Sequence, residues 1–108
     1  MPRKLLPLIA SSLALLLLGS AAQAQDPAKQ GRKILKDFCA SCHSIAKRGD
    51  SQDRTAPPLR MLGRSFELDR FAQDLNRGIL SGHPGMAEFK LSEDDARAVS
   101  AYLRTIQR

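Results

Sequence analysis

Two cysteines and a histidine stand together in the first half of the chain, as Cys39-Ala40-Ser41-Cys42-His43. Thiols at this spacing can reach the two vinyl groups on one edge of a porphyrin. The histidine that follows can then carry an imidazole nitrogen to the iron. The pattern C-x-x-C-H is that of c-type haem attachment. It predicts one covalently attached haem c, bound through Cys39 and Cys42, with His43 as an iron ligand.

The same residues allow other chemistry. In a thiol–disulfide oxidoreductase, the C-x-x-C pair follows a strand and opens a helix. Here a helical pattern leads into Cys39, and no strand–helix–strand pattern surrounds it. A zinc site needs four ligands, and beyond the motif only the distant His83 is available. An ordinary disulfide also fits an oxidising compartment. An exported thiol–disulfide oxidoreductase that uses Cys39 and Cys42 therefore stays an alternative.

The first 24 residues have the pattern of a secretory signal peptide. A basic start with Arg3 and Lys4 precedes an apolar run over residues 5–18, and the small-residue triplet Ala22-Gln23-Ala24 follows. The apolar run is shorter than the ~20 residues that span a bilayer. We therefore expect cleavage after Ala24 and a mature domain of residues 25–108. The mature domain is expected in the periplasm, without stable membrane insertion.

The mature chain is predicted to form helices and loops around a small core. The whole chain has 108 residues, with one Tyr, four Phe and no Trp, which excludes a multidomain enzyme. Helices are predicted from Asp26-Pro27, from a Ser65 cap to about Arg77, and from a Ser92 cap. Their inward positions follow helical spacing. These positions are Gly31, Ile34, Leu35 and Phe38, then Leu68, Phe71, Ala72 and Leu75, then Ala96, Val99, Tyr102, Leu103 and Ile106.

The segment from Gly31 to His43 resembles the opening of a class I cytochrome c, a small monohaem electron carrier. Gly31 and Leu35 stand at the family's distances before Cys39, and Ala101-Tyr102-Leu103 resembles the family's closing helix. The resemblance covers the mature chain and is greatest to short bacterial members. It implies an all-α cytochrome c fold, with three main helices and loops wrapped around a covalent haem. Pro57-x-Leu59 resembles the loop in which a proline carbonyl accepts a hydrogen bond from the axial histidine.

The second iron ligand is to be chosen among Met61, Met86 and His83. The resemblance implies a methionine late in the chain, before the last helix, which selects Met86. The family often has proline after this methionine, whereas Ala87 stands here. Met61 is interpreted as an apolar packing residue. His83, three residues before Met86, leaves a bis-histidine site as an alternative.

Ligation by both His43 and Met86 leaves no vacancy at the iron for a substrate. The resemblance therefore implies a periplasmic single-electron carrier and not an enzyme. A haem sensor or peroxidase with a labile sixth ligand is the further alternative. Donor and acceptor redox proteins are the expected partners of a monomeric chain. Four basic residues near the motif favour acidic docking surfaces on these partners: Lys29, Arg32, Lys33 and Lys36. Nucleic-acid binding is disfavoured, because no basic stripe is interleaved with aromatic residues.

Overall fold

The computed structural model describes residues 26–78 and 85–108. These ranges contain helices α1 (Pro27–Phe38), α2 (Leu68–Arg77) and α3 (Glu93–Ile106), with a 3₁₀ segment (Leu59–Arg64) before α2. No strand forms in either range, so the all-α prediction is confirmed. None of the helices in the described ranges has the length and apolarity to cross a bilayer. The predicted signal peptide (1–24) and His83 lie outside the described residues.

Side-chain caps begin α1 and α3 where the sequence predicts them. Asp26 accepts a hydrogen bond from the backbone N–H of Ala28 at 3.0 Å, and Pro27 occupies the first helical position. Ser92 accepts one from the backbone N–H of Asp95 at 3.1 Å. Three acidic residues in the first turn of α3 also favour the positive end of its dipole.

The predicted Ser65 cap of the second helix is wrong. Ser65 instead ends the 3₁₀ segment, where its backbone N–H donates to Leu62 O at 3.1 Å. The chain then continues to Glu67, whose extended backbone precedes α2 without a side-chain cap. At its other end α2 stops at Gly78, as predicted. The φ of +104° there is a conformation that glycine adopts at little cost.

Helix α3 forms the centre of the molecule, because both α1 and α2 pack against it. Gly31 allows the closest approach: a Cβ atom at this position would lie 1.9 Å from the backbone oxygen of Ala98. The buried core adds Leu59 from the 3₁₀ segment to residues of the three helices. This core consists of Leu35, Leu59, Ala72, Leu75, Ala96, Val99, Leu103 and Ile106. The 3₁₀ segment and the end of α1 therefore pack against the same core.

Candidate haem-binding site

The attachment motif follows directly on the last turn of α1. The N–H groups of Cys39 and Ala40 both donate to Leu35 O, at 2.8 and 3.0 Å, and so close the helix. The N–H groups of Cys42 and His43 then donate to Cys39 O, at 3.2 and 2.9 Å. These bonds fold the five residues into one turn at the helix end. Both thiols are free and half-buried.

The surroundings of Cys39 suit a thioether better than a redox-active thiolate. Burial against the core, together with the nearby Cys42, raises the pKa of the Cys39 thiol to about 11. Cys39 also lies at the carboxyl end of α1, where the helix dipole disfavours a negative charge. Reactive C-x-x-C thiols instead have a lowered pKa, typically at a helix amino terminus. The geometry therefore disfavours the thiol–disulfide alternative.

His43 is oriented by a backbone carbonyl. Its Nδ1 lies 2.7 Å from Pro57 O. A carbonyl oxygen can only accept, so Nδ1 carries the proton and Nε2 keeps its lone pair for a metal. This is the hydrogen bond that the resemblance implies for Pro57. The roles of His43 and Pro57 in haem binding stay predictions.

The loop between the motif and Pro57 is closed by short polar contacts. Ser51 Oγ accepts from the N–H of Ser44 at 3.0 Å, and Asp53 N–H donates to Cys42 O at 3.1 Å. Hydrogen bonds from the side chain and backbone of Thr55 hold the pKa of the Asp53 carboxyl below its ordinary value. Arg60 Nη1 donates to Ser44 Oγ at 3.2 Å and to Gly49 O at 2.8 Å. The loop is therefore tied both to the motif and to the 3₁₀ segment.

The segment that follows Met86 is anchored at two places. The Phe89 ring contacts the Phe38 ring edge to face, with centroids 6.0 Å apart, next to the attachment motif. Two residues further on, Leu91 N–H donates to Leu75 O at 2.9 Å and Asn76 Nδ2 donates to Leu91 O at 3.0 Å. The Met86 side chain is 38% exposed, whereas Met61 is half-buried in the 3₁₀ segment. Phe89, three residues after Met86, contacts Phe38 beside the attachment motif, and the ligand role of Met86 stays a prediction.

The residues present fit a covalently attached haem. Two free thiols and an imidazole with an available Nε2 form the donor set that this group requires. Phe38, predicted to face inward on α1, is instead 53% exposed, because it stands at the end of the helix beside the motif. An apolar disc attached at the neighbouring Cys39 would cover such a surface. Within the described residues, no three His, Cys, Asp or Glu side chains gather as a metal-ion site.

Two features of this region are missed by the sequence interpretation. The Phe38–Phe89 contact joins residues far apart in sequence, and no spacing rule predicts it. Gln107, which follows the last residue of α3, hydrogen-bonds to the 3₁₀ segment through its side-chain amide. A polar residue next to the chain end gives no signal of such a contact.

Comparisons with known proteins agree with this site. A family model described as "Cytochrome C oxidase, cbb3-type, subunit III" matches residues 26–103. Cytochrome c-552 of Bradyrhizobium diazoefficiens is 30% identical over 95 residues, which cover 88% of this chain and 88% of the relative. No solved structure matches the chain significantly. Because these matches span most of its length, the chain belongs to the c-type cytochromes, as a monohaem electron-carrier protein with a covalently bound haem c.

Proposed function

We propose that the mature chain carries single electrons between redox proteins in the periplasm, after removal of a signal peptide at residues 1–24. Cys39 and Cys42 hold the haem through thioethers, and His43 and Met86 are the axial ligands. The observation that supports this best is the 2.7 Å contact between His43 Nδ1 and Pro57 O. That contact selects the tautomer and fixes the orientation that an axial histidine needs.

The chain's own residues adapt the site to electron transfer. A bound haem supplies one-electron redox chemistry. The carbonyl of Pro57 keeps the proton on His43 Nδ1, so Nε2 remains a ligand in both oxidation states. The thioether of Met86 would be the second iron ligand and would raise the reduction potential, because a soft ligand favours ferrous iron. With the same ligands in both states, little has to move during transfer.

Positive charge beside the attachment motif supports docking to acidic partners. Lys29, Arg32, Lys33 and Lys36 are all exposed on α1. Lys33 is paired with Asp37 at 2.7 Å, and this carboxylate raises the pKa of its ammonium group. No ion pair is found for the other three within the described ranges. Exposed charges of one sign steer association with an oppositely charged surface.

The ligand assignment is tested by replacing each methionine in turn. We expect Met86→Ala to lower the reduction potential, to remove the weak far-red band of the ferric protein and to let the ferrous protein bind carbon monoxide. Met61→Ala serves as the matched control and keeps the spectrum of the unmodified protein. Optical spectra of both oxidation states and a redox titration measure these changes.

Each other outcome would favour a different ligand or a different function. If Met86→Ala keeps the band and the potential, Met86 is not the ligand, and His83 becomes the candidate to replace next. Carbon monoxide binding by the unmodified ferrous protein would favour the sensor or peroxidase alternative. Absence of haem staining after denaturation, in cells able to attach haem, would leave the thiol pair as the chemistry to test.

A further inference from the structure

Gln107 ties the end of the chain to the 3₁₀ segment. It follows Ile106, the last residue of α3, and its half-buried side chain folds back. Nε2 donates to Leu103 O and to Leu59 O, both at 3.0 Å, and Oε1 accepts from the N–H of Gly63 at 2.7 Å. One primary amide therefore satisfies three backbone groups, two of them in the 3₁₀ segment.

The 3₁₀ segment is shaped to receive this amide. A Cβ atom on Gly63 would lie 2.8 Å from Gln107 Oε1, so the absence of a side chain leaves room for the contact. The backbone adds further bonds: Arg108 N–H donates to Arg60 O at 3.1 Å, and Arg64 Nε donates to Arg108 O at 3.2 Å. The contact is a set of hydrogen bonds from both sides and not one isolated pair.

The opposite side of the same segment holds the histidine loop. Leu59 N–H donates to Ser44 O at 2.9 Å, one residue after His43, and the Leu59 side chain is buried. Pro57, whose carbonyl accepts from His43 Nδ1, lies only two residues before Leu59. The backbone of Leu59 is thus bonded to the histidine loop through its N–H and to Gln107 through its carbonyl.

From this arrangement we propose that Gln107 is a positioning residue for His43. By holding the 3₁₀ segment against the end of α3, it keeps the Pro57 carbonyl within hydrogen-bonding distance of Nδ1. The inference rests on the proposed role of His43 as an axial ligand. A short bond from Nδ1 makes the imidazole a stronger donor and so stabilises ferric iron. Loosening the segment weakens this bond and raises the reduction potential.

The test compares Gln107→Met with Gln73→Met in the haem-loaded protein. Methionine is close to glutamine in length, but its side chain offers no N–H donor. Gln73 is exposed on α2, and no hydrogen bond of its side chain is found in the described ranges. The readouts are the reduction potential and the solvent exchange rate of the His43 Nδ1 proton, measured by NMR in the ferrous state. We expect Gln107→Met to speed exchange by about twofold to tenfold and to raise the potential, whereas Gln73→Met changes neither.

A second variant approaches the same contact from the other side. Gly63→Ala keeps Gln107 but displaces its amide, so it should shift both readouts in the same direction and by less. It also serves if Gln107→Met does not accumulate as folded protein. If both variants match Gln73→Met in exchange rate and potential while only their unfolding stability falls, Gln107 merely caps α3 and the inference fails. If the unmodified ferrous protein shows no iron-bound histidine, the proposed function itself fails.

Discussion

Tyr102 is the residue that joins α3 to the segment after the attachment motif. Its hydroxyl donates to Ile45 O at 2.6 Å, two residues beyond His43, in partly buried surroundings. Tyr102→Phe removes the donor and leaves the packing of the ring. A fully buried carbonyl that loses its partner costs about 1–3 kcal/mol; because Ile45 O is only partly buried, we expect a fall of about 1 kcal/mol in the free energy of unfolding. Urea unfolding of the haem-loaded protein, followed by far-ultraviolet circular dichroism, measures it.

The control for this prediction is a second hydroxyl on the same helix. The Thr105 hydroxyl donates to Tyr102 O at 2.6 Å but is exposed, so water can replace its bond. Thr105→Val should therefore change the free energy of unfolding by less than about 0.5 kcal/mol. Equal effects of the two substitutions would show that the bond to Ile45 has no special weight.

At the scale of single residues, the sequence predicts contacts that lie close to the motif and misses those made by the chain end. The hydrogen bond between His43 and Pro57 is predicted because both residues stand in a recognised pattern. Gln107 lies 64 residues after His43, and its amide acts through backbone groups that no side-chain pattern marks. Contacts of this kind depend on where two elements meet, which local spacing does not encode.

At the scale of elements, the close crossing of α1 and α3 at Gly31 allows a prediction about stability. Gly31→Ala would place a Cβ atom 1.9 Å from Ala98 O and 2.5 Å from Ala98 C. Alanine gains about 0.8–1.0 kcal/mol in helix propensity over glycine. Overpacking costs typically 1–3 kcal/mol, and more where the neighbour is backbone that cannot turn aside. We expect the steric cost to exceed the gain in helix propensity, so that the protein is destabilised, as measured by the midpoint of urea unfolding.

Arg32→Ala, on the exposed side of the same helix, is the control: it distinguishes an effect on the helix crossing from a general effect on α1. It should leave the midpoint nearly unchanged, because the side chain it removes is exposed. A Gly31→Ala protein at least as stable as the unmodified chain would show that the two helices can move apart without loss.

Helix boundaries were predictable where a side chain fixes them. Asp26 and Ser92 each accept a backbone N–H, and α1 and α3 begin there as predicted. Ser65 is a serine like Ser92, but the preceding 3₁₀ segment extends to Arg64, and Ser65 is the C-cap of that segment. Capping propensity alone does not say which of two adjacent elements a serine belongs to. The start of α2 was therefore misplaced, whereas its end at Gly78 was correct.

At the scale of the whole molecule, the apolar core is small for the number of ordered residues. In the described ranges, nine apolar residues are buried and three of these are alanines, namely Ala72, Ala96 and Ala98. Phe38 and Phe66, two of the four phenylalanines, are 53% and 59% exposed. Domains of this size commonly need a metal, a cofactor or disulfides to be stable. We infer that covalent haem supplies much of the missing core.

This inference predicts that the fold depends on attachment. A chain with Cys39→Ser and Cys42→Ser, produced alongside the haem-attachment machinery, should lose most of its helical circular dichroism. Ser41→Ala is the matched control: it lies between the two cysteines, is exposed and leaves both thiols in place. It should stain for covalent haem and keep its helices. If the double serine variant keeps native helicity and unfolds cooperatively without haem, then α1, α2 and α3 are stable on their own packing. In that case the core is sufficient, and haem would serve electron transfer alone.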